Sequence, residues 1–263
     1  MITKVGQPVN YYLGHEIALH LNPLIGQQVK LQLSGDIECI HCHKSTKKSY
    51  SQGYCFICSQ RLAACDLCIV RPEKCHYDQG TCREPEWGEA HCMQPHVVYL
   101  ANASGLKVGI TREVNIPTRW IDQGAAGAIP LLRVASRQLA GFVEVIIKNH
   151  LADKTNWREM LKGDVADQDF NAARDRVFAQ CWPEIANLQA TYGMLAINPI
   201  LQAAEVHFAY PVSRYPEKIK SVNLDKTGEI SGELLGCKGQ YLIFDSGVVN
   251  LRKYTGYLGS IHA

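Results

Sequence analysis

The chain has 263 residues, 46% of them hydrophobic and 20% charged, a balance that excludes wholesale disorder. Its net charge of +2 is unevenly placed: nine Lys/Arg face five Asp/Glu over 97–163 (+4), and two face six over 164–205 (−4). No apolar run approaches the ~18 residues of a membrane span. Lys4 is followed by no apolar stretch, so the expectation is a cytoplasmic protein without a secretory leader or membrane partner.

Residues 10–36 read as strands, because Val29, Leu31 and Leu33 alternate with Lys30 and Gln32 as on a half-buried strand. Residues 37–96 hold most of the cysteines, with Gly53, Gly80 and Pro85 as turn residues. Residues 97–111 suggest a hairpin turning at 102–105. A helix is predicted over 133–151, with Leu139, Phe142, Val143, Ile146 and Ile147 along one face. Another is predicted over 167–190, with Asp167 and Asp169 at its positive end and a kink at Pro183. From Glu205 short apolar runs between glycines return to strands, which are expected to pair with the N-terminal ones. The expected fold class is therefore α+β. It divides into a β segment (1–36), a metal-binding module (37–96), a central domain with a helical extension (97–204) and a β-rich unit (205–263).

Nine of the eleven cysteines fall within 54 residues. In a reducing compartment, thiols at CxxC spacing read as metal ligands before disulfides. Cys39, Cys42, Cys55 and Cys58 form C-x2-C-x12-C-x2-C, the pattern of a closed four-thiolate Zn²⁺ site, against which four buried free thiols is the bland alternative. Cys65, Cys68, Cys75 and Cys82 are the first choice for a second such site. Cys92, His76, His91 and His96 are alternative ligands, and an iron–sulfur cluster is the alternative metal, behind zinc.

Tyr99 after two valines, and Gly109 after Lys107 and Val108, resemble the two triplets of the GIY-YIG nuclease domain. The resemblance covers about 97–160. Lys107 stands where that family has its second tyrosine, and Gln123 where it usually has histidine or tyrosine. Arg119 is similar to the arginine of its first helix, Glu144 to its metal-binding glutamate and Asn156 to an asparagine that often follows. The resemblance implies that Tyr99 helps activate water, that Glu144 holds Mg²⁺ or Mn²⁺, and that Arg119 stabilises developing charge. Lys107 would meet substrate as a point charge. It implies a nucleic-acid partner, DNA or RNA, and leaves open a non-catalytic interaction module with structural zinc and a vestigial site. The runs 80–89, 106–112 and 117–124 together resemble an uncharacterised bacterial family, Domain of Unknown Function 2797, which implies a shared fold and no established activity.

Overall fold

The computed structural model describes residues 1–14, 18–151, 156–163 and 165–263. In chain order they form strands β1 (Ile2–Lys4), β2 (Asn10–Leu13), β3 (Leu19–His20) and β4 (Gln28–Ile37). Helices α1 (Phe56–Arg61) and α2 (Pro85–His91) lie in the cysteine-rich stretch, among short 3-10 turns. Then come β5 (His96–Asn102), β6 (Leu106–Arg112), α3 (Thr118–Asp122), β7 (Gly127–Val134) and α4 (Arg137–Lys148). The remainder is α5 (Trp157–Met160), α6 (Phe170–Tyr192), β8 (Ile197–Pro199), β9 (Val206–His207), α7 (Leu224–Thr227), β10 (Glu229–Lys238), β11 (Tyr241–Phe244), β12 (Gly247–Asn250) and β13 (Tyr257–His262). The mixed α+β class follows. Among the described residues no helix is long and apolar enough to cross a membrane.

Three antiparallel sheets organise the chain. The first is β1-β2-β3. The second runs β12-β11-β10-β4-β13, so β4 from the N-terminal region lies between two strands from the C-terminal one. Its alternation works as the sequence suggests: Val29, Leu31, Ile230, Leu234 and Leu242 share one core, while Lys30 points outward to pair with Glu229 at 2.8 Å.

The third sheet runs β6-β5-β7-β8, with β9 pairing the near end of β7. Every residue of β5 is buried, because both faces of this strand are covered. Val98 and Leu100 pack under α4 and α6 with Leu139, Val143, Phe170 and Val177. Val97, Tyr99 and Ala101 point the other way, against Trp120 of α3. The period of two thus assigns Tyr99 to the α3 face.

The helix predicted over 133–151 begins later, at Arg137, and the residues before it belong to β7. Ser136 is the physical boundary: its hydroxyl accepts from Leu139 N at 3.3 Å and caps the helix. β7 carries Pro130, which has no N–H for a ladder. A register shift opposite Val98 and Tyr99 absorbs it. On the other edge Pro130 falls between the residues pairing β9 (Gly127, Ala128) and those pairing β8 (Leu132, Arg133, Val134). The second predicted helix is α6, capped by Asp169 through Ala172 N at 2.8 Å. It continues through Pro183 as one element.

Lys238, at the end of β10, is 2% exposed and lies 5.4 Å and 5.3 Å from the rings of Tyr210 and Tyr215. Burial pushes its pKa down to about 8. A shift of that size disfavours the charged form by ~3 kcal/mol, and the two ring contacts return ~1–2 kcal/mol of that. The unfolded chain holds this proton more tightly, so the penalty is full below pH 8 and stability rises from about pH 8 toward 10. Tyr210 and Tyr215, pushed up by burial, oppose the rise once unfolded tyrosines ionise near pH 10. Lys238→Met is expected to gain ~1–2 kcal/mol at pH 7 and to flatten that rise in urea titrations. A variant less stable than wild type at pH 7 refutes this account.

Candidate functional site

Two tight turns assemble the first thiol set. One follows β4, where an isolated bridge between Glu38 and Ser45 clasps the turn holding Cys39 and Cys42. His43 takes a left-handed φ of 58° to close it. The other follows the Tyr50–Tyr54 bridge: Cys55 is the N-cap of α1 and Cys58 lies in its first turn. Gly53, at φ 121°, sits between them; a Cβ there would meet Thr255 at 2.9 Å and Ile40 at 3.0 Å, so only glycine fits. The sulfurs of Cys39, Cys42, Cys55 and Cys58 all lie within 4.8 Å of one another, and Cys42 Sγ stands 3.8 Å from Cys55 Sγ. A tetrahedron of ~2.3 Å Zn–S bonds has sulfurs ~3.8 Å apart. The cluster is compatible with a structural metal such as zinc.

Electrostatics prepare the site for a cation. Burial raises the Cys39 thiol, but backbone N–H groups of Cys42, Cys55 and His41 aimed at its sulfur more than offset this and bring it down. Cys58 is pushed the other way by burial and by the neighbouring thiols. One thiolate therefore forms readily, and completing the set requires a metal to displace the remaining protons.

The second set differs from the one that spacing suggested. Cys65 belongs beside the first cluster: Ser51 hydrogen-bonds its thiol, and Cys39 acts on its charge. Cys68, Cys75, Cys82 and Cys92 line a separate cavity. The CxxC spacing of Cys65 and Cys68 misled because two short 3-10 turns, Ala63–Cys65 and Leu67–Ile69, send the two thiols to different sites. Of the imidazoles, His76 stands with Asp66 and Cys68 within 4.8 Å at this cavity, while His91 and His96 have other partners. His76 Nδ1 meets Thr81 Oγ1 at 2.7 Å, and His91 stacks on Trp87 and donates to its carbonyl at 2.9 Å. His96 is buried, donates to Gln94 O at 2.7 Å, and has its pKa lowered by burial to about 4.

Residues from three elements converge on the Tyr99 phenol. Gln123, just past α3, donates Nε2–H to the Tyr99 hydroxyl at 2.7 Å. Burial raises the phenol's pKa; Arg119, by charge and hydrogen bonding, and Gln123 pull it down, and the Glu144 carboxylate pushes it up. The edge of the Trp120 ring meets Tyr99 at 5.7 Å between centroids. Gly109 on β6 lies against the same hydroxyl: a Cβ there would stand 2.7 Å from it, so the glycine makes room for the phenol. The Glu144 side chain is 15% exposed and pairs with Lys148 at 3.5 Å. Asn156 does not join this group through any described contact. Its side chain caps α5, accepting from Arg158 N at 3.1 Å.

Lys107 opens instead onto a cleft of about 190 Å³ between the third sheet and β11, with Gln123, Trp157, Tyr241 and Arg252 on its walls. Trp157 and Tyr241 stack at 5.6 Å and 6°. Gln123 thus touches the phenol and the cleft at once. Arg252 was invisible to the sequence reading because it lies 133 positions from Arg119, yet the charge of Arg119 acts on it. Trp157 had a local signal, its position next to Asn156; Tyr241 had none.

No curated protein and no solved structure matches the chain. The model of a family described as a protein of unknown function, DUF2797, matches residues 26–258, and the chain belongs to that family.

Proposed function

We propose that this is a zinc-containing nucleic-acid-binding protein with a metal-assisted phosphodiester-cleaving site at Tyr99, on the pattern of the GIY-YIG nucleases. The observation that carries the reading is the meeting of Gln123 and the charges of Arg119 and Glu144, from the end of α3 and from α4, at one phenol of β5. The order of β5, β6, α3 and α4 and the glycine under the phenol support it. Zinc on Cys39, Cys42, Cys55 and Cys58 is structural, since four thiolates leave no open position.

Glu144, half-buried on α4, is the residue that would hold Mg²⁺ or Mn²⁺, which when bound polarises the phosphodiester. The chain's own groups do the rest. Gln123 donates to the Tyr99 oxygen, which leaves the phenolic O–H free to orient a water. Arg119 would stabilise the charge that builds on the phosphate oxygens, and Lys107 and Arg252, which line the adjoining cleft, would hold neighbouring phosphates. The Trp157–Tyr241 wall suits an unpaired base.

Labelled branched, single-stranded and duplex DNA and RNA, incubated with Mg²⁺ or Mn²⁺, test this directly. Cleavage is expected to fall by ~10²-fold or more in Glu144→Gln, while salt-sensitive binding persists. Absence of binding at low salt sinks the reading. One observation favours a second: Tyr99 has no exposed surface and its oxygen already accepts from Gln123. A non-catalytic phosphate cradle would bind in the same assay and cleave nothing.

A further inference from the structure

We propose that Cys68, Cys75, Cys82 and Cys92 hold an iron–sulfur cluster, a second metal centre distinct from the Cys39 set. The spacing is C-x6-C-x6-C-x9-C, which no short motif announces. Each thiol comes from a different turn: Cys68 within Leu67–Ile69, Cys75 after Pro72–Lys74, Cys82 ahead of α2 and Cys92 at its end. All four line one cavity of about 20 Å³, and Cys75, Cys82 and Cys92 are among the groups that act on the Cys68 thiol. Gly88 in α2 leaves room for one of them, since a Cβ there would stand 3.3 Å from Cys82 Sγ.

Width separates this centre from the first. The Cys39 set has drawn its sulfurs to single-ion distance. Around the second cavity that distance is met by Asp66, Cys68 and His76, whose Nε2 stands 3.6 Å from Asp66 while Thr81 takes its Nδ1, but not by the four thiols as a set. The cavity admits a water-sized body. Four sulfurs ~2.3 Å from one zinc ion would leave no such void. An iron–sulfur core sets iron and sulfide between the thiolates and needs the extra width.

Charge supports a thiolate-bound centre at this place. Arg137, the first residue of α4, donates through Nη2 to Ile69 O, while its Nε is buried with no hydrogen-bond partner among the described residues. Of the charged groups around it, Cys92 acts on it most strongly. Four thiolates bring the centre a net negative charge, and a buried cationic N–H beside them is a counter-charge. Arg137 N also donates to Cys92 O at 2.8 Å and Gln138 Nε2 to Cys75 O at 2.9 Å, so the centre is built onto the start of α4.

The test uses the full chain, purified without air and incubated with ferric iron, sulfide and a thiol, which reduces part of the iron, before desalting. Iron, sulfide, zinc and the visible spectrum are measured for wild type, Cys75→Ser, Cys92→Ser and Cys65→Ser. Wild type is expected to carry iron and sulfide with visible absorbance, plus zinc at the level of a single site. Cys75→Ser and Cys92→Ser should lose the iron, the sulfide and the colour but keep the zinc, which reports that the chain still folds around Cys39. Cys65→Ser should keep the iron. Zinc at the level of two sites with no iron overturns the proposal, as does iron that survives Cys92→Ser and is lost from Cys65→Ser.

Discussion

Stripping the metal from the Cys39 cluster, by chelator or by Cys58→Ser, is expected to unfold the segment around residues 39–58. A structural zinc contributes ~10–16 kcal/mol of apparent folding free energy, as large as the ~5–15 kcal/mol that holds a typical domain together. The effect should not stay local. Glu38 N donates to Gly256 O at 2.7 Å, Ser49 Oγ to Thr255 O at 3.2 Å and Arg252 Nε to Gln52 Oε1 at 2.6 Å. The thiol turns therefore brace Arg252 where it lines the cleft. Limited proteolysis should cut the chelated protein between the two CxxC pairs, and the nucleic-acid binding proposed above should weaken with it. A proteolytic pattern unchanged by chelation would falsify the structural role.

Trp120→Ala should cost ~3–5 kcal/mol, the range for emptying a buried aromatic site. The indole is 2% exposed and packs between Tyr99 at 5.7 Å and Phe208 at 6.4 Å. Trp120→Phe should cost less than half as much. Its ring keeps most of the contact, and the buried Nε1–H that it removes has no hydrogen-bond partner among the described residues. Leaving such a group unpaired costs ~1–3 kcal/mol, so its removal offsets part of the lost packing. Urea denaturation of the two variants measures the difference, and a Trp120→Ala loss under ~1 kcal/mol contradicts the packing. Tyr99 loses its orienting ring in the alanine variant, so cleavage should fall further than binding through Lys107 and Arg252.

The legible parts of this fold were the local ones. The first thiol set was readable because each CxxC is one turn and its chemistry needs no third element. The 97–111 hairpin and the β4 alternation were readable for the same reason. β7 was missed because Pro130 and the adjacent Leu131 and Leu132 break a period of two, and only the register against β5 shows how the sheet absorbs them. The second thiol set depended on how successive 3-10 turns rotate, which spacing does not encode. Tyr99, Arg119 and Glu144 were singled out through a resemblance. Gln123, named there only as a departure from the pattern, donates a hydrogen bond to the phenol at 2.7 Å. Arg252 and Tyr241 required the second sheet to fold back across the cleft from Lys107, which brings together segments with no shared motif.

The position of β4 has a consequence in time. Both of its sheet neighbours, β10 and β13, lie beyond residue 228. At ~5–20 residues per second, a ribosome needs roughly 10–40 s to deliver them after β4 has emerged. Through that interval the strand has two unpaired edges, the condition that favours pairing with another chain. The thiol turns follow it directly and can close on an ion from their own residues. Metal supply during synthesis is therefore expected to govern soluble yield, because a nascent chain that captures its ion early carries an ordered knot beside its one unpaired strand while the rest is made.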